Sequence, residues 1–289
     1  MRIKSVFISS IFLLLTATQP IALAQESENI RFPRLSAEVD PHETYVHELL
    51  VLALKNSKTR YQLVPSEGKM QQARSIYEMT KVVGNVDLLW TMATDERQTQ
   101  MIAIKTPIDK GLIGWRIPLL KKERSQIFEK VSTLRHLSTY SAGQEHDWPD
   151  VPILKENGLP VVTSTSYEAL FNMLQGGRFD YFPRSMFEIW NEFSSHPKHE
   201  LHIDEHIILH YPAAYYFFVT PRRPKLAEDL RVGLEAMIKD GSFEKLFKKH
   251  NQISIDRANI KRRTIIELDN PLFHLDKSNG YRPELWFQP

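Results

Sequence analysis

Between residues 30 and 90 the apolar side chains alternate in a way that few folds accommodate. Ile30 to Leu35, Tyr61 to Val64 and Val86 to Trp90 are short runs of strand length. After the first, Val46, Leu49, Leu50, Ala53 and Leu54 recur at helical spacing. Asp40 stands as the N-cap of that helix and Pro41 at its first position. A second helix spans Met70 to Met79 and ends near Gly84. Strand, helix, strand, helix, strand at this spacing predicts a parallel α/β sheet. In such sheets ligands sit at the carboxyl ends of the strands. Thr91 to Arg97 lies just past such an end.

That segment carries a possible chemistry. Thr91-Met92-Ala93-Thr94 leads into Asp95-Glu96-Arg97, and Leu112 to Trp115 then carries the chain toward another lobe. A strand followed by a helix N-terminus beside a guanidinium suits a small carboxylate. Backbone N–H groups favour the anion, and the arginine fork matches its two oxygens. The alternative is that Arg97 is a solvated first-turn residue paired with Asp95 or Glu96, a kind of surface pair that contributes little.

A second α/β lobe follows. Val151 to Asn157 reads as a helix, Pro160 to Thr163 as a strand, and Tyr167 to Leu174 as a helix capped by Ser166. Phe179 to Phe182 is a strand, and Ser185 opens a helix over Met186 to Glu192. His206 to Tyr211 and Tyr215 to Val219 are extended and return the chain to the first lobe. Leu226 to Ile238 and Phe243 to His250 are helical, broken at Gly241-Ser242. The polar tail to Pro289 is expected to wrap on the surface.

Composition removes several classes. Arg2 and Lys4, an apolar run from Val6 to Leu15 and Ala22-Leu23-Ala24 form a secretory signal peptide cut after Ala24. Its apolar run is too short for a lasting membrane anchor, so a periplasmic location is expected. There is no cysteine, which excludes a lipid-anchored N-terminus, disulfides and cysteine metal sites. Loss of Arg2 and Lys4 takes the formal charge of +2 to zero. Nothing there suggests nucleic acid or an anionic membrane as partner. No G-x-S-x-G, H-E-x-x-H or phosphate loop is present, and no cofactor is implied. His196, His199, His202, His206 and His210 crowd near Asp204 and Glu205. Their spacing aligns only on a helix, and Pro197, Ile207-Ile208-Leu209 and Pro212 argue for loop and strand, so no metal site is expected.

Three segments resemble the bacterial extracellular solute-binding proteins of the polar amino-acid uptake family. Thr94-Asp95-Glu96-Arg97, after a strand with Asp87, is similar to that family's T-x-E-R segment. Leu174-Gln175-Gly176-Gly177-Arg178-Phe179-Asp180 is similar to its L-x-x-G-R-x-D-A segment, and Leu226 to Phe247 to its closing helix pair. The resemblance implies a two-lobed α/β periplasmic-binding-protein-like fold of type II, with two crossovers, closing on one small molecule. It implies a signal peptide at 1–24, lobe 1 at 25–113 and 212–289, and lobe 2 at 114–211. Arg97 is implied as carboxylate clamp; Thr91 and Thr94 read as hydroxyl donors beside it, next to Trp90, with Gln144, Arg184 and Ser185 completing the site from lobe 2, and Trp148 either stacks on a ligand or packs in the core or at the surface. Gly143 stands where that family has a turn glycine, and either backbone approach to ligand or an ordinary loop accounts for it. Arg178 and Asp180 are expected to pair within their lobe.

The departures bear on specificity. Ser185, beside Arg184, stands about where the family has an aspartate for the ligand's ammonium. Arg97 and Arg184 without a facing acid suit an anion better than a zwitterion, unless Glu188 supplies the missing charge. Three readings follow: a monomeric binding protein delivering a small polar or anionic solute to an inner-membrane permease, the same module feeding a membrane sensor, or a lyase-like enzyme on that scaffold. Binding without catalysis is the expected role.

Overall fold

The structure, a computed structural model, describes residues 27–34, 41–275 and 282–289. The signal segment, its cut after Ala24 and the Asp40 cap lie outside the described residues. In chain order the elements are β1 (Glu28–Arg34), α1 (Pro41–Leu54), β2 (Tyr61–Lys69), α2 (Gln72–Thr80), β3 (Leu88–Met92), α3 (Asp95–Gln100) and β4 (Ile102–Ile104). Then come β5 (Trp115–Lys121), α4 (Leu134–Leu137), β6 (Ala142–Glu145), α5 (Asp150–Glu156), β7 (Val161–Ser164), α6 (Tyr167–Gln175), β8 (Tyr181–Ser185), α7 (Ile189–Ser195), β9 (Leu201–Ile203) and β10 (Ile207–His210). The chain closes with β11 (Tyr215–Val219), α8 (Pro224–Lys239), α9 (Ser242–Ala258) and β12 (Thr264–Glu267). Among the described residues no helix is long and apolar enough to cross a membrane.

The strands form two groups. In the first, β1 and β2 pair in parallel, and β11 lies antiparallel between β3 and β4. The two ladders are joined at Asp87, one residue before β3. Its N–H donates to the Arg31 carbonyl at 2.7 Å, and its carboxylate accepts the Arg31 N–H at 2.9 Å. The Arg31 Nε and Nη2 close the clasp at 3.0 and 3.1 Å. Burial raises the Asp87 pKa, and the Arg31 hydrogen bonds outweigh it, leaving the carboxyl below its usual range. The second group runs β12-β10-β5-β8-β6-β7, with β9 also on β5. Here β6 is parallel to β7 and β8, whereas β5 is antiparallel to β8 and β10.

Three differences from the sequence reading have physical reasons. First, β8 begins at Tyr181 and runs through Ser185, and the next helix starts only at Ile189. Pro183 does not break the strand because it sits opposite Pro118 of β5, where neither residue has an N–H to contribute. Second, Asp180 does not pair with Arg178. It pairs with Arg124 and accepts the Ser141 N–H at 2.7 Å and hydroxyl at 2.9 Å. Third, the tail does more than wrap. β12, in the stretch assigned by sequence to lobe 1, adds in parallel to β10 at the edge of the second sheet. Ser166 caps α6 as its position suggests, its hydroxyl accepting the Ala169 N–H.

Helix α1 fits its neighbours at one tight point. Leu49, Leu50 and Ala53 share the main core with Leu226, Leu230 and Leu234 of α8. A β-carbon at Gly233 would stand 1.8 Å from the Ala53 carbonyl oxygen, so the helices touch backbone to side-chain-free backbone. Gly233→Ala should therefore force the helices apart and lower the unfolding free energy by about 1–3 kcal/mol, the usual range for overpacking, as read from urea denaturation midpoints.

Candidate functional site

The turn from β3 into α3 builds the first half of the site. Successive strand residues face opposite ways. Trp90 packs against Phe32 at 5.9 Å and His47 at 5.6 Å, in the core beneath α1. Thr91 meets the Arg97 guanidinium, its Oγ1 accepting Nη1–H at 2.9 Å. Thr94 is the N-cap of α3, its Oγ1 accepting the Arg97 N–H at 3.1 Å. The guanidinium folds back over the strand, donating to the Met92 carbonyl at 2.9 Å and to Gln72 Oε1 of α2 at 2.5 Å.

Arg97 is not the solvated first-turn residue of the alternative reading, for it is 8% exposed. Asp95 pairs instead with His274 at 2.7 Å. No carboxylate of the described residues lies within ion-pair distance of Arg97. Burial therefore lowers its pKa to about 10, only partly opposed by Tyr215, Asp147, Glu96 and Asp150. At neutral pH it is a buried cation aligned by neutral acceptors.

Lobe 2 contributes a different arrangement. Arg184 of β8 is not a free cation: Glu192 accepts its Nε and Nη2 at 2.8 and 2.7 Å, and Glu188 lies 3.1 Å from Nη2. Trp148 lies under the same guanidinium at 4.7 Å, as a wall for Arg184. The Ser185 hydroxyl donates to the Leu112 carbonyl at 3.0 Å, tying β8 to the first crossover. Glu188 is shared, since it also lies 3.3 Å from Arg116 Nη1 and accepts the Ser185 N–H at 3.1 Å. Arg116 binds Asp150 at 2.8 Å and donates to the Tyr211 hydroxyl at 2.8 Å, and that hydroxyl donates to Asp150. Burial works against both lobe 2 arginines, but Asp150 with Glu188 and Glu188 with Glu192 hold their pKa values above the usual range. Glu188, which the sequence reading offered as the source of the missing charge, is thus engaged by Arg116 and Arg184.

Several buried polar groups of lobe 2 have no partner among the described residues: atoms of Gln144, Asp147, Tyr181, Trp190, His199 and Asp204. Gln144, at the carboxyl-terminal half of β6, is fully buried, yet neither of its amide atoms has a partner among the described residues. A buried amide left unpaired is costly. Asp147 Oδ1 is likewise buried without a partner. Gly143 has a packing reason: a β-carbon there would sit 2.2 Å from the Phe179 ring. Of the clustered histidines, His196 stacks on Phe171 and lies 5.8 Å from the His199 ring, His199 meets Asn172, and His210 meets Glu267. Among the described residues no group of three metal-capable side chains forms.

The lobes meet across this site. His42 of α1 stacks on Phe187 at 4.1 Å, Tyr215 of β11 lies 6.1 Å from Phe187, and Gln71 Nε2 reaches the Thr165 carbonyl at 3.3 Å. Sequence reasoning missed Gln72, Arg116, Asp147, Asp150, Glu192, Tyr211 and His42. Only Arg116 left a trace, as a lone cation within the apolar start of β5.

Two expectations separate the arginines and identify the cross-lobe histidine. Arg184→Met strands Glu192 and Glu188 and should cost about 3–5 kcal/mol of stability, whereas Arg97→Met removes an unbalanced cation and should cost at least about 2 kcal/mol less, both by chemical denaturation. Burial lowers the His42 pKa from 6.5 to about 4, with Glu188 opposing. The folded chain then binds fewer protons than the unfolded chain between those values. Stability present above about pH 6.5 should fall as pH drops through about 4, by up to about 1.4 kcal/mol per pH unit. His42→Phe should flatten that slope in melting temperatures taken across the range.

No protein-family model matches the sequence, and no curated protein does. Solved structures do. An ancestral arginine-binding protein bound to arginine aligns with a TM-score of 0.57 at 17% identity, over 77% of this chain and 97% of its own. A probable amino-acid ABC transporter extracellular-binding protein from Bacillus subtilis aligns with a TM-score of 0.57 at 15% identity, over 78% and 98%. An ancestral amino-acid-binding protein, a precursor of cyclohexadienyl dehydratase, aligns with a TM-score of 0.54 at 15% identity, over 77% and 95%. The chain therefore has the two-lobed type II periplasmic-binding fold that those amino-acid-binding proteins share.

Proposed function

We propose that this protein binds a small carboxylate-bearing solute between its lobes and presents it to a membrane permease. The observation that carries this reading is Arg97. It is a buried cation without a carboxylate partner, oriented by Thr91, Met92 and Gln72 at the carboxyl end of β3. A ligand carboxylate would supply the counter-charge that the chain withholds. Closure of a hinged fold around the ligand would bring lobe 2 onto it.

The ligand's second half is read from lobe 2. Arg184 and Arg116 are neutralised in place, whereas Asp147 Oδ1 and the Gln144 amide, at and just past the carboxyl end of β6, are among the buried polar groups with unmet capacity. That favours a solute carrying N–H donors opposite its carboxylate, an amino acid or amide-bearing acid, over the dianion that a free Arg184 would have suited. The match to amino-acid-binding structures supports the same class. A catalytic reading is favoured by one observation, the likeness to a dehydratase precursor; turnover of any bound ligand would establish it.

Thermal unfolding of the mature chain against amino acids, their amides and matched dicarboxylates tests the proposal. A ligand that binds only the folded state at a hundredfold excess over its Kd stabilises by about 2.7 kcal/mol. An amino acid or amide should raise the midpoint and its matched dicarboxylate should not. Arg97→Ala should abolish the shift while the circular dichroism spectrum is unchanged. An Arg97→Ala chain that binds normally would overturn the assignment.

A further inference from the structure

The C-terminal segment beyond α9 touches both lobes and both crossovers. It enters along lobe 2: Thr264–Glu267 pairs with β10, the Leu268 N–H donates to the His210 carbonyl at 2.7 Å, and Glu267 meets His210 Nδ1 at 2.7 Å. Asp269 is then clasped from both sides by Asn157 at the end of α5. Its N–H donates to Asn157 Oδ1 at 2.9 Å, and its carbonyl accepts Asn157 Nδ2–H at 2.8 Å. Asn270 Nδ2 donates to the Pro212 carbonyl, in the second crossover, at 2.8 Å.

Within two further residues the segment is on lobe 1. The Leu272 carbonyl accepts the Asp95 N–H, the first of α3, at 2.8 Å, and His274 pairs with the Asp95 carboxylate. Phe273 is buried among Met79, Val86, Leu89 and Phe218. The terminal residues 282–289 fasten the first crossover. Phe287 N–H donates to the Lys110 carbonyl at 2.8 Å and its ring stands 6.0 Å from Trp115. The Trp286 ring lies where a Gly111 β-carbon would be, 2.7 Å away.

We propose that this segment is a strap that limits how far the lobes open and ties that opening to the helix bearing Arg97. The physical reason is chain length. Asp269 is fixed to α5 of lobe 2 and Leu272 to α3 of lobe 1, and three backbone steps separate them. A fully extended chain covers about 11 Å in three steps. Lobe rotation that carries the Asn157 end of α5 further than that from the start of α3 has to break the Asn157 clasp or the Leu272–Asp95 bond. Release at either end gives a wider opening, and release at Leu272 also removes one of the bonds that seat the first turn of α3. The inference concerns motion of the chain alone and does not depend on the identity of the solute.

The absence of cysteine makes the test direct. Gln71→Cys and Thr165→Cys place one thiol on each lobe, at positions where Gln71 already reaches the Thr165 carbonyl. Disulfide formation under a fixed oxidant then reports how often the lobes are together. In the full mature chain carrying that pair, adding Asn157→Ala with Asn270→Ala should slow cross-linking several-fold. Spin labels on the same two thiols should show a longer inter-lobe distance component. Phe287→Ala, which removes the ring contact with Trp115 at the first crossover and keeps the backbone bond to Lys110, should slow it less. Circular dichroism and the melting temperature establish that each variant is folded. Cross-linking that is unchanged or faster, with superimposable distance distributions in the folded Asn157→Ala, Asn270→Ala chain, would overturn the strap.

Discussion

The shared carboxylate of Glu188 holds lobe 2 together. Arg116 and Arg184 rise from neighbouring strands, where Arg116 is opposite Ser185 and Ile117 opposite Arg184. Two buried guanidiniums that close repel, and each lowers the other's tendency to stay charged. Glu188 bonds to both, Asp150 takes the far side of Arg116, and Glu192 takes the far side of Arg184. Without these acids the β5–β8 ladder would carry two unpaired charges out of water, at several kcal/mol each. The pairing at the centre of the second sheet is therefore an electrostatic requirement as much as a packing one.

Arg97 is the opposite case. It has hydrogen-bond acceptors in place of acids, so its direction is fixed and its charge is not cancelled. Two of these three arginines are neutralised in place, and the third is aligned by neutral acceptors alone. On the proposed binding reading, the Arg97 cation on lobe 1 and the unpaired Gln144 amide and Asp147 Oδ1 on lobe 2 would give the cleft a polarity. A molecule with one anionic end and one N–H-rich end matches that polarity in a single orientation.

Much of the fold was legible because its signals are local. The helix-spaced apolar residues of α1, the Ser166 cap and the return strand Tyr215–Val219 depend on near neighbours in sequence. Arg97 stood out for the same reason, in a helix start directly after a strand, and the structure buries it there. The rest of the site depends on pairing between distant residues. Arg184 looked free because Glu192 lies eight residues on and meets it only once β8 and α7 pack together. Asp150 could not be linked to Arg116, nor Tyr211 to either, without the three-dimensional chain path. The same holds for β12, whose short run gave no hint of which sheet it would join.

The first crossover is stiffened by one side chain. Asp109 accepts the N–H groups of Gly111 at 3.1 Å and Ile113 at 2.7 Å, and that of Tyr215 on the returning strand at 3.1 Å. Burial raises its pKa to about 6, while these three backbone donors favour the charged form. Residues 109–113 and the start of β11 thus form a single knuckle linking the two inter-lobe connections. The neighbouring residues are held as well, the Tyr211 N–H by the Gly114 carbonyl and the Ala214 carbonyl by the Ala93 N–H. The two connections are thereby mechanically coupled, and neither can bend without loading the other.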